Sequence, residues 1–401
     1  MKGAFFHFHF RGAVMFEKIL DIFRSAVNLN LFTHDTFPCI IKFILNNLWK
    51  NIAEMFAIFT AFMHFGSRIT GGKSNDIIIR PKHRVNKKIP ANIGFISTAL
   101  SIVSLARLIT IAKQESEEKT EPISTRSLGK MGFNASILGM GGIYICRGEE
   151  ADGIAILNRA FEHGINYYDT ATQYGNGESE RRIGLWLKQL QSEGRRGEVF
   201  VATKTLSRGY DTAANEIERS FSRLKTPYID LLQLHSINDL GTWGTVSGRN
   251  GSLRAIEAAK ASGRIKFIGI TGHKDPSVIL RAIEEYPFDS VLVPLGITDR
   301  IHVPFVKEVL PACLEKGISV VAMKVFAEGK LVSAGADLQR CLHYTLSLPV
   351  STAIIGMASI EQVEMNIAWT KAFQGMTEER KEILATQIRE LIDVTGLWWK
   401  K

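Results

Sequence analysis

Val199-Phe-Val-Ala-Thr-Lys204 and Ile229-Asp-Leu-Leu-Gln-Leu-His235 are short apolar runs, each ending on an ionisable side chain and separated by a helical pattern. That alternation of strand and amphipathic helix is the signature of a parallel sheet built from strand–helix units. Working outward, the same unit recurs: strands are predicted at 136–142, 166–171, 199–205, 229–237, 267–271, 290–297, 319–326 and 352–357, with a helical pattern after each. Eight such units in about 280 residues fit a closed (β/α)8 TIM barrel, whose usual size is roughly 250 residues. The open dinucleotide-binding sheet lacks its fingerprint: Gly139 and Gly141 have the right spacing, but Tyr144 stands where a third glycine is needed. Gly164, Gly263 and Gly317 each close a helical pattern, and Asp275-Pro276 opens one. Residues 125–128 and 134–137 flank Gly129-Lys-Met-Gly132 as a hairpin predicted to plug the barrel floor, and a ninth helix is predicted at 377–394.

The chain has 401 residues, 45% of them hydrophobic and 22% charged, which excludes a disordered chain or a fibre. Its four cysteines form no CxxC pair and no His/Cys cluster, so neither a disulfide framework nor a metal site is expected. The net charge of +9 is uneven: residues 1–121 carry 16 Lys/Arg against 9 Asp/Glu, the remainder 33 against 31. Fourteen of the 23 Phe also precede residue 122, and the boundary is placed there, with the barrel over 122–401.

The front part, 1–121, reads as a hydrophobic, helical extension. Lys42, Lys50, Asn51 and Glu54 interrupt 36–65 at nearly helical spacing, which predicts an amphipathic interfacial helix. Residues 89–112 are apolar but for Arg107 and follow a basic cluster at 80–88, the pattern of a membrane or signal-anchor segment. The chain is therefore expected to be cytoplasmic or membrane-associated, with the barrel exported if that segment acts as a signal anchor. The Phe-rich surroundings of the basic residues argue against a nucleic-acid arm.

In a (β/α)8 barrel the chemistry sits at the carboxyl ends of the strands. Asp169, Lys204 and His235 end three consecutive strands, where an isolated charge is costly, so they are expected to meet. Tyr174 lies on the loop above the same pocket. An ammonium held by a carboxylate beside a phenol stabilises the phenolate and makes the tyrosine a usable acid, while a neutral imidazole hydrogen-bonds a substrate carbonyl. None of these groups supplies a hydride, so a nicotinamide cofactor is implied.

Gly164-Ile-Asn-Tyr-Tyr-Asp-Thr-Ala-Thr-Gln-Tyr-Gly175 with Glu178, Val201-Ala-Thr-Lys204 and Asp230-Leu-Leu-Gln-Leu-His235 resemble the three signature segments of the aldo-keto reductases, over roughly residues 124–375. The resemblance implies an NAD(P)H-dependent oxidoreductase that reduces an aldehyde or ketone, with Tyr174 as general acid, Lys204 and Asp169 tuning it, and His235 orienting the carbonyl. It also implies a cofactor site at Gly142, Asp169, Thr271, Lys324, Phe326, Gly356, Ser359, Gln362 and Asn366, for NADPH, with NADH left open because residues 357–360 are uncharged. Gly269-Ile-Thr-Gly-His273 and Ala322-Met-Lys-Val-Phe326 depart from the family's usual segments and mark a divergent branch. Trp243, on the loop after the fourth strand, is expected to form an apolar wall of the substrate pocket. The alternative reading is a regulatory module that binds the cofactor and senses redox state for a membrane partner.

Overall fold

A computed structural model describes residues 122–302 and 304–401. The segments expected at 36–65 and 89–112 lie outside the described residues. Among those described, no helix is long and apolar enough to cross a membrane.

The described chain begins with the floor hairpin. Strand β1 (Thr125–Ser127) pairs antiparallel with β2 (Asn134–Ser136), and Gly132 takes φ 69° in the turn between them. Eight parallel strands then close a barrel. They are β3 (Leu138–Gly141), β4 (Tyr167–Asp169), β5 (Phe200–Thr205), β6 (Ile229–Leu234), β7 (Ile265–Thr271), β8 (Ser290–Pro294), β9 (Ser319–Met323) and β10 (Thr352–Gly356). Each pairs with its sequence neighbour, and β10 returns to β3 with Ala353 opposite Leu138, which closes the ring and excludes the open sheet.

The helices follow in order: α1 (Glu150–Glu162), α2 (Glu178–Ser192), α3 (Tyr210–Leu224), α4 (Leu240–Ser247), α5 (Ser252–Ala261), α6 (Pro276–Glu285), α7 (Ile297–Ile301), α8 (Phe305–Glu315), α9 (Lys330–Ser333), α10 (Leu338–Leu346), α11 (Ile360–Lys371) and α12 (Glu378–Leu391). Side-chain caps start several of them: Asp275 accepts from Ser277 N before α6, Asp337 from Arg340 N before α10, and Thr377 from Arg380 N before α12. Such a cap satisfies an amide that the helix leaves unpaired and is worth about 1 kcal/mol. Gly164, Gly263 and Gly317 sit at φ 89°, 77° and 66°, the left-handed geometry that ends the preceding helices. Gly184 in α2 has another reason: a Cβ there would lie 1.9 Å from the Arg223 carbonyl oxygen of α3, so the two helices approach only over a glycine.

The barrel interior is a separate apolar cluster from the layer between strands and helices. Leu128, Met131 and Ala135 of the hairpin pack up into Tyr167, Phe200, Leu231 and Val321. Tyr167 stacks on Phe200 at 5.4 Å, and Phe133 meets Phe200 at 5.3 Å from below. The hairpin thus plugs the amino-terminal end, which leaves the carboxyl ends of the strands as the open face. The sequence reading placed β3, β4, β6, β8 and β9 too long at one or both ends and began β7 two residues late. The extra residues are loop segments whose apolar side chains, such as Ile237 and Val325, are buried beneath the rim without joining the ladder.

Candidate active site

The open face holds a cavity of about 760 Å³ lined, among others, by Gly142, Asp169, Tyr174, Lys204, His235 and Thr271. It extends past Lys324 and Phe326 to Gly356, Gln362 and Asn366. Residues from seven segments therefore meet in one groove, because parallel strands deliver their last residues to the same side of the barrel.

At its base Asp169, Lys204 and Gln233 come from β4, β5 and β6. Lys204 Nζ donates to Asp169 Oδ1 and, at 2.7 Å, to the Thr170 carbonyl, and it lies 3.5 Å from Tyr174 Oη. Gln233 Nε2 donates to the other Asp169 oxygen at 3.1 Å. Both charged side chains are 1% exposed. Burial disfavours an ammonium, yet the facing Asp169 carboxylate holds the Lys204 pKa above its ordinary value. Asp169 itself is pushed up by burial, with Lys204 and Gln233 pulling it back.

Tyr174 differs from expectation in one respect. Burial raises its phenol above the ordinary tyrosine range and outweighs the opposing Lys204 ammonium. In this site the phenol therefore keeps its proton, as a general acid must, but is not shifted toward neutral pH. His235 is driven well below its ordinary pKa by burial and by the nearby Lys204 charge, so it is neutral. Its Nδ1 is 2.9 Å from Gln173 Oε1, and its ring meets the Tyr174 ring edge-on at 6.3 Å. A second imidazole, His273, lines the same wall 6.3 Å from His235 and is pushed down to about 3 by burial and then by Lys324 and Lys204.

The far arm of the groove can hold a dinucleotide. Asn366 is 3% exposed; its Nδ2 donates to the Gln362 carbonyl, while its Oδ1 has no partner among the described residues, an acceptor awaiting a donor. A Cβ on Gly356 would lie 2.6 Å from the Tyr144 ring, so that wall admits only a glycine. Ser359 does not line the cavity; its hydroxyl caps α11, accepting from Gln362 N at 3.3 Å. Thr271 Oγ1 is engaged by Ser236 N at 2.8 Å. Lys324, at φ 61°, pairs with Glu328 and lies 4.9 and 4.8 Å from the Trp398 and Trp399 rings.

The expectation for Trp243 is corrected. It lies in α4 at 3% exposure, packs on Phe288 at 6.0 Å and donates its indole N–H to Glu285 at 2.6 Å, so it joins α4 to α6 and does not border the cavity. Eight apolar or small residues around 240–247 form a helix whose buried side is the indole. The aromatic residues that line the cavity beside Tyr174 are Tyr144 and Phe326, while Trp398 stands behind its wall, its ring 5.3 Å from His273 and its N–H donating to Glu328 at 2.9 Å. The tail is pinned by Lys400, which donates to Asp299 at 2.9 Å with both side chains fully buried. Sequence reading missed this anchor, and also Gln173 and Glu216 beside His235; the one signal was a polar residue immediately before Tyr174.

The model of the aldo/keto reductase family matches residues 137–340. The L-galactose dehydrogenase of Arabidopsis thaliana is 27% identical over 69% of this chain and 97% of its own length. The D-threo-aldose 1-dehydrogenase of a Pseudomonas species is 32% identical over 45% of this chain and 61% of its own. Among solved structures, an aldo-keto reductase from Bacillus halodurans in its holo form superposes with a TM-score of 0.55 at 26% identity, covering 68% of this chain and 97% of that one. One from Klebsiella pneumoniae, solved with NADPH, shares the fold with a TM-score of 0.54 at 21% identity over 66% and 95%.

Proposed function

The chain belongs to the aldo/keto reductase family and is an NAD(P)H-dependent oxidoreductase, and from that premise we propose that Asp169, Tyr174, Lys204 and His235 carry the interconversion of a small carbonyl compound and its alcohol, with Tyr174 moving the proton. The observation that carries this reading is the placement of Lys204 Nζ, fixed by Asp169 and the Thr170 carbonyl and 3.5 Å from Tyr174 Oη in an open cavity. An ammonium so held steadies the charge on the phenolate oxygen as its proton leaves for the substrate oxygen, and steadies it again while the proton returns. Asp169 keeps Lys204 charged, and Gln233 keeps Asp169 turned toward it. His235 presents its remaining ring nitrogen to the same substrate oxygen.

A nicotinamide, when bound, supplies or accepts the hydride. Gly142, Thr271, Lys324, Phe326, Gly356, Gln362 and Asn366 would hold the dinucleotide along the groove, with Ser359 at the start of α11. Residues 357–366 bring no Lys or Arg to grip a 2′-phosphate, so the reading covers NADH as well as the expected NADPH. The names of two relatives, an L-galactose and a D-threo-aldose dehydrogenase, favour a hydroxylated substrate. The redox-sensing alternative rests on the departures at 269–273 and 322–326 and on the apolar front, membrane association rests on residues 89–112, and the boundary at 121/122 is proposed with them.

Turnover of NADPH and NADH with a panel of aldehydes tests it. Tyr174→Phe is expected to lower turnover by about 10²–10⁴-fold while the cofactor's dissociation constant, read by fluorescence titration, stays within twofold. Undiminished turnover in that variant would remove the mechanism. Tight cofactor binding without turnover across the panel would favour the sensor.

A further inference from the structure

The groove holds a polar group that the tetrad leaves unused. His273 follows β7 and lines the same cavity as His235, its ring 6.3 Å from that of His235 and 5.3 Å from that of Trp398. It is only 6% exposed. The backbone fixes its place: His273 N donates to Asn238 Oδ1 at 2.8 Å, and the preceding Gly272 runs so close to α6 that a Cβ there would lie 2.6 Å from Ile279 Cδ1. Nδ1 lies 3.4 Å from Ser236 Oγ, while Nε2 makes no hydrogen bond among the described residues. Burial and the charges of Lys324 and Lys204 keep the ring neutral, so it neither gives nor takes a proton at neutral pH, and hydrogen bonding is the chemistry left to it. A carbonyl oxygen has two lone pairs. Tyr174 and His235 use both in the reading above, so the reacting oxygen has nothing left for a third partner.

We propose that His273 is a specificity-determining residue that binds a hydroxyl on the carbon beside the reacting one, so that the site selects α-hydroxy carbonyl compounds, and vicinal diols in the reverse direction, over analogues with an alkyl group there. Two imidazoles 6.3 Å apart on one wall suit two oxygens on neighbouring carbons, because each ring nitrogen reaches about 3 Å to its partner. A hydroxyl both donates and accepts, so it satisfies the neutral ring in either tautomer. An alkyl group in that place would leave Nε2 buried without a partner, which is how a site built for a hydroxyl rejects the analogue lacking it. The inference rests on the tetrad reading above and adds to it the second group that the substrate must carry.

The test uses the full chain with NADPH or NADH and two pairs of substrates in which one methyl group is exchanged for one hydroxyl: hydroxyacetone against butanone, and glycolaldehyde against propanal. The native chain is expected to favour the hydroxylated member of each pair in kcat/KM by about tenfold or more. In His273→Phe, which keeps a ring between His235 and Trp398, that preference is expected to fall about tenfold, the loss of one hydrogen bond. Because the same pair is compared in both proteins, the intrinsic reactivity of the carbonyls cancels. His273→Gln, which keeps a polar tip, is expected to retain most of the preference. A native chain that treats both members of each pair alike overturns the proposal even if every variant fails to fold. An equal loss on both members assigns His273 to packing, and a raised cofactor dissociation constant with the preference intact assigns it to the cofactor; either overturns the proposal and leaves the tetrad standing. Turnover of none of the four substrates by the native chain would instead remove the tetrad reading, and the proposal with it.

Discussion

The two ends of the barrel are built on opposite terms. At the floor, Leu128 and Met131 of the hairpin fill the space under Tyr167 and Phe200, and Arg126 donates to the carbonyls of Leu346, Leu348 and Val350, closing the seam beside β10. At the mouth, a buried carboxylate, two ammonium groups and two neutral imidazoles crowd one groove. Five non-glycine residues of the loops there, Asn176, Ser236, Lys324, Ala327 and Glu328, stand at positive φ, each at a cost of about 1–3 kcal/mol. Beyond the mouth, Lys225 after α3 is the one other such residue among those described. The floor stores packing and the mouth stores strain, which is the division expected where one end holds the fold and the other must bind and release ligands.

The sharpest way to break this contrast is Lys204→Met. Removing the ammonium is expected to cut turnover by about 10²–10⁴-fold and, by leaving Asp169 buried without its cation, to cost about 3–5 kcal/mol of stability in urea unfolding. Turnover within tenfold of the native chain would deny the mouth its chemical role. Leu128→Ala probes the other end: about 2–5 kcal/mol lost from a fully buried site, with kcat unchanged in the folded fraction. A fall in kcat instead would mean that the floor reaches the site.

The third probe is pH. Burial pushes Asp299 up to about 6 against the pull of Lys400 and the amides of Val306 and Phe305. A carboxyl raised in the fold binds its proton more readily there than in the unfolded chain. Its contribution is therefore greatest near pH 4 and diminishes as the pH rises through about 6. Urea unfolding of the native chain and Asp299→Asn should show a stability difference that shifts against the native chain from pH 4 to pH 7; a constant difference would rule out the shifted carboxyl. Smallest is Trp398→Ala. With the ring 44% exposed, stability should change by less than about 1 kcal/mol, while substrate KM rises a few-fold if the ring borders the bound substrate.

What the sequence made legible follows from chain distance. Asp169, Lys204 and His235 could be read because each ends an apolar run, and strand ends in a parallel barrel share a side. Glycine caps and the floor hairpin were equally local. Trp243 was misread because an indole in a glycine-rich loop gives no hint of which way its helix will turn, and Glu285, its partner, is 42 residues away. The Lys400–Asp299 pair spans 101 residues and joins two unremarkable charges.

The tail anchor carries one more consequence. Because the ammonium of Lys400 neutralises a fully buried carboxylate, replacing Lys400 would strip Asp299 of its counter-ion and loosen the paired indoles resting on Lys324. A change at Lys400 would thus be felt in the ligand groove through those indoles and Lys324, so ligand affinity should fall before helix content does.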